Sequence, residues 1–121
     1  MTLVDHIRKM IEINDVKKID RNYQELRELD YLYSHTHDLY IEDITKATDE
    51  EVKNANDFLE SILDVHRKRL DLLLTQARDY EKRTDILEYL RKDVVKEQDI
   101  IMNLRGYQES LSVRLNKPNV L

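Results

Sequence analysis

Through most of this chain the apolar residues recur at alternating steps of three and four, the spacing that lines one face of a helix. Leu3, Ile7, Met10 and Ile11 begin the pattern and predict a short amphipathic helix over residues 2–13. Asn14 and Asp15 interrupt the stripe, either as a cap or as a polar layer, so a helix over 15–47 is expected to follow the first or to continue it. Its seam is Val16, Ile19, Tyr23, Leu26, Asp30, Tyr33, His37, Tyr40, Ile44 and Ala47.

Thr48-Asp49-Glu50-Glu51 then reads as a helix start, with a hydroxyl to accept backbone N–H groups and a carboxylate three residues on. The seam resumes as Val52, Ala55, Leu59, Leu63, His66, Leu70, Leu73, Ala77, Tyr80, Thr84 and Leu87. Two successive steps of three at Thr84, Leu87 and Leu90 shift its phase before Val94, Ile101, Leu104, Leu111 and Leu115. With no glycine or proline between Thr48 and Arg105, the pattern predicts one long helix over 49–115, which Gly106 would loosen and Pro118 would stop.

A tight turn at Ala47 to Asp49 makes the flanking helices antiparallel neighbours. The expected fold is therefore all-α: a long coiled-coil-like helical hairpin forming a single domain over 1–121. The resulting register sets Tyr33 opposite Leu63, Leu26 opposite Leu70, and the polar residues Asp30 and His66 opposite each other. Such a pair would hold the register, since slippage leaves both groups unpaired. Residues from about Lys96 onward then overhang, and Ile100, Ile101, Leu104, Tyr107 and Leu111 become a candidate partner surface. The alternative is a three-helix bundle in which the chain turns back within the polar run from Arg78 to Asp85, with Thr84 as a cap.

Apolar residues also lie off the seam: Leu29, Leu32, Leu39 and Ile41 in the first half, with Phe58, Ile62, Leu72, Leu74, Ile86 and Val95 in the second. Each is worth roughly 1.5–3 kcal/mol when fully buried. Self-association of the hairpin into a homodimeric four-helix bundle would cover them.

Composition narrows the function. Of 121 residues, 37% are charged and only one is glycine and one proline, which disfavours sheets and frequent loops. The net charge of −5 disfavours nucleic acid and anionic membranes as partners, because both select a basic surface. The basic runs Lys17-Lys18, Arg67-Lys68-Arg69 and Arg91-Lys92 sit among acids that can pair with them. Without cysteine there is no disulfide, thiolate metal site or thiol nucleophile. No apolar run approaches the length of a membrane span, and the N-terminal residues do not read as a leader, so a soluble cytoplasmic protein is expected.

Among the chemistry-bearing residues, His35 and His37 are two apart and point to different sides of a helix, which predicts no shared metal. Tyr31, Tyr33, His35, His37 and Tyr40 form a candidate aromatic patch. An Asp30–His66 dyad has no serine, threonine or cysteine nucleophile placed with it, and no phosphate loop or zinc spacing occurs. The expected function is a non-enzymatic, cofactor-free protein–protein interaction module: a small coiled-coil subunit, adaptor or assembly factor. The alternatives are a secretion- or assembly-type chaperone masking a partner helix, and a small nucleic-acid-binding regulator.

Overall fold

A computed structural model describes residues 1–115. All regular structure within them is helical: α1 (Leu3–Lys17), α2 (Tyr23–Lys46), α3 (Asp49–Asp79) and α4 (Thr84–Leu115). The all-α expectation holds, with four helices instead of two or three. The stop expected at Pro118 lies outside the described residues.

Local chemistry sets the helix starts. Thr2 caps α1 by accepting the Asp5 N–H at 3.2 Å, while the Asp5 carboxylate accepts the Thr2 N–H at 2.9 Å. Asn22 and Glu25 repeat this reciprocal arrangement at α2. The interruption between the first two helices therefore falls at residues 18–22 and not at Asn14–Asp15, which remain helical. Ile19, assigned to the seam by periodicity, lies in this connection and is 59% exposed. Thr48 accepts the Glu51 N–H at 3.2 Å, as its position in the sequence predicts.

The uninterrupted helix over 49–115 is not formed. Tyr80 to Arg83 make a turn, closed by the Arg83 N–H donating to the Tyr80 carbonyl at 2.9 Å, and Thr84 begins α4. Glycine is not required, since no described non-glycine residue has positive φ. The run from Asp79 to Thr84 has no apolar face to bury. Turning there also brings the apolar positions of α4 back onto those of α3. The shift of phase at Thr84, Leu87 and Leu90 is thus the start of a new helix.

The chain divides into two compact units: residues 1–56 with those from Ser110 onward, and Asp57–Glu109. In the first, α1 and α2 run antiparallel, tied by His6 to Asp43 at 2.6 Å and by an ion pair between Lys17 and Asp30. Its core holds Leu3, Ile7, Met10, Ile13, Tyr40, Ile44, Val52, Ala55 and Leu111. Arg114 fastens the α2–α3 link, donating to the Ala47 carbonyl at 3.1 Å and to the Asp49 carboxylate at 2.6 Å. In the second unit α3 and α4 are antiparallel, as the Gln108–Glu60 bond at 2.7 Å and the His66–Glu97 bond at 2.6 Å require. Leu59, Leu63, Ile101, Leu104 and Tyr107 are buried there, whereas Leu70, Leu73, Leu87, Leu90 and Val94, nearer the turn, are half-buried.

These placements correct two expectations. Ile101, Leu104, Tyr107 and Leu111 are core residues and Ile100 is half-buried, so the stretch read as an overhanging partner surface is used within the chain. Asp30 and His66 do not pair: Asp30 is exposed and bound to Lys17, and His66 is bound to Glu97. The register that joined them assumed α3 to be the partner of α2 throughout, whereas α1 supplies the partner of Asp30.

Candidate functional site

Among the described residues, side chains with chemical potential gather on α2, in a depression beside it, and in ionic contacts between antiparallel helices. On α2, Tyr33, His37 and Tyr40 succeed one another at steps of four and three and so share a side. The rings of Tyr33 and His37 stack at 6.3 Å with an interplanar angle of 18°, and His37 and Tyr40 are tilted by 57° at 6.4 Å. Tyr40 is fully buried, and burial pushes its phenol well above the ordinary tyrosine range. Tyr33 and His37 also line a shallow depression of about 200 Å³ with Ser34 and Asp38. Tyr31, 76% exposed, and His35 lie outside this row, so the structure splits the five-residue aromatic patch in two. Residues two apart on a helix diverge by about 200°.

A second, more apolar depression of about 350 Å³ lies between α2 and the end of α4, lined by Ile41, Ile44, Thr45, Ser110, Val113 and Arg114. It is large enough for one or two side chains of a visiting segment, and the guanidinium at its rim is already held by Asp49 and Ala47.

Glu97 is buried and accepts from two donors on α3, His66 Nδ1 at 2.6 Å and Arg69 Nη1 at 3.3 Å. In the first unit, buried His6 places Nε2 2.6 Å from Asp43 Oδ2. The ring nitrogen that faces the carboxylate is Nδ1 in His66 and Nε2 in His6. Both histidines join antiparallel helices. Among the described residues no group of three His, Cys, Asp or Glu is placed to hold a metal ion.

Glu97 and Asp43 escaped the periodicity reading. The signal for Glu97 is the seven-residue gap in the α4 stripe between Val94 and Ile101, where a polar residue occupies a core position. Asp43 is flanked by buried Ile44 and carries no comparable mark. His6 falls three residues after Leu3 and beside Ile7, on the buried side of α1.

The basic runs are largely neutralised in place. Lys68 pairs with Asp64 at 2.9 Å, Arg67 with Glu60 at 2.9 Å, Lys18 with Asp15 at 3.6 Å, and Lys17 with Asp30. Hydrogen bonds from Gln108 and Arg67 hold the Glu60 carboxyl below its usual range. No helix among the described residues is long and apolar enough to cross a membrane. Comparison with protein-family models, with curated proteins and with solved structures found no match.

Proposed function

We propose that this chain is a protein–protein interaction module that associates with itself, a small cytoplasmic subunit or assembly factor rather than an enzyme. The observation that carries this reading is the apolar surface left on the 57–109 hairpin. Val65 and Leu72 on α3, with Val95 and Met102 on α4, are each more than half exposed, and Leu74 is 41% exposed. A two-helix element with a buried stripe normally turns its charged side to water. Four aliphatic side chains on outward positions are a surface suited to another helix. The imidazoles fit the same reading, since His6 and His66 are engaged as struts between helices. Absence of cysteine fits a reducing compartment.

A second reading, an assembly-type chaperone that covers a partner's amphipathic helix, draws on the depression lined by Ile41, Ile44 and Val113. Nucleic-acid binding draws least, because most of the clustered cations are paired and the net charge is −5. Sedimentation velocity over a range of micromolar concentrations tests the main reading. Concentration-dependent association supports it, and a monomer across the range contradicts it.

A further inference from the structure

The outward side of α3 carries Phe58, Val65 and Leu72 at intervals of seven residues, each preceded by an aspartate: Asp57, Asp64 and Asp71. Seven residues are nearly two helical turns, so the apolar side chains form one row and the carboxylates a rail beside it. Val65 and Leu72 are 54% and 59% exposed, and Phe58 is half-buried. The outward side of α4 carries a counterpart of opposite charge. Val95 and Met102 are also seven apart, 53% and 70% exposed, and exposed Arg91, Gln98 and Arg105 run alongside them at the same interval. Lys68 pairs with Asp64, whereas Asp57, Asp71, Arg91 and Arg105 have no ion-pair partner among the described residues.

The rails decide which surfaces can meet. Two copies of α3 laid on each other would bring aspartate against aspartate, a juxtaposition that costs association energy. Laying α3 antiparallel on α4 of a second copy does the reverse. Val65 then faces Val95 and Phe58 faces Met102, and within two residues of that register, about 3 Å along the helix, Asp57 comes beside Arg105, Asp64 beside Gln98 and Asp71 beside Arg91. Both unpaired charge pairs span fourteen residues, about 21 Å of helix, so both ends engage together.

We infer that the chain self-associates by docking the Asp57–Asp64–Asp71 side of α3 in one copy onto the Arg91–Gln98–Arg105 side of α4 in another. The inference rests on the self-association proposed above and names its contact. Because different surfaces meet, the contact either forms twice about a two-fold axis, which closes a pair, or forms head to tail, which closes a ring or extends into a chain of copies.

A charge exchange tests this contact. The variants D57R/D71R and R91D/R105D alter exposed positions only, and circular dichroism with thermal melting checks that each retains its fold. Sedimentation should show each variant alone associating at least about tenfold more weakly than the unaltered chain, since like charges now face each other. An equimolar mixture should regain association, because the basic rail of one then meets the acidic rail of the other. Raising the salt concentration should weaken the unaltered assembly. If either variant misfolds, the milder D57N/D71N and R91Q/R105Q carry the test through weakened association and a reduced salt dependence. Variants that associate as well as the unaltered chain, or a mixture that fails to regain association, overturn this contact while leaving self-association through another face standing. A monomeric unaltered chain overturns both.

Discussion

Glu97 shows how much of the second hairpin depends on one side chain. It takes a core position, and its desolvation is offset by donors from His66 and Arg69 on the facing helix. Glu97→Ala leaves those donors without their acceptor and opens space, so it should lower stability by about 2 kcal/mol in urea unfolding. Replacing Glu97 and His66 together by leucine should recover much of that loss, because a polar pair removed as a unit leaves little unsatisfied. Tyr40 makes a separate prediction. Its buried phenol holds its proton to higher pH than the phenol of the unfolded chain, which ionises near pH 10. The neutral form is thus favoured in the folded state, and its stabilising contribution, complete below pH 10, is lost as the pH rises beyond that point. Tyr40→Phe should flatten the fall of stability above pH 10, as seen in melts at stepped alkaline pH; an unchanged slope would contradict the assignment.

At the scale of elements, the caps and the glycine give clean expectations. Asn22 ends the connection after α1 by satisfying the Glu25 N–H, so Asn22→Ala should cost about 1 kcal/mol and fray the start of α2. Gly106 is inside α4, without positive φ, and a methyl group there would meet nothing within 4 Å. Gly106→Ala should therefore raise stability by about 0.5–1 kcal/mol; calorimetry that finds a loss would place Gly106 in a packed contact. The inward faces were legible from spacing: Val52, Ala55, Leu59 and Leu63 are all buried, as are Tyr40 and Ile44. The breaks were harder to place. Asn22 and Glu25 carry a capping signal as good as that of Thr48, but a stripe running unbroken through Ile19 and Tyr23 masks it. The turn at residues 80–83 has no glycine or proline and is marked only by polarity and a shift of phase.

For the whole molecule, helix class followed from local pattern, while helix pairing did not. An apolar stripe records that a face is buried and carries no label for the element that buries it. Asp30 could satisfy Lys17 or His66 equally well by spacing, and only the positions of the breaks decide between them. Moving one break from the expected continuous helix to residues 80–83 converted Leu104, Tyr107 and Leu111 from a free surface into core. It also left the outward rows of α3 and α4 as the uncovered apolar surface of the 57–109 hairpin. The fold and the proposed contact therefore share one requirement, that α4 returns along α3. The chain lacks cysteine, so Ser61→Cys and Glu109→Cys give two unique labels at exposed positions on these helices. Spin-label distances in dilute samples, with labelled chains diluted by unlabelled ones, should centre near 20 Å or less, set by helix spacing of about 10 Å plus the label arms. A distance near 70 Å, the length of about 48 residues of unbroken helix, would contradict the account.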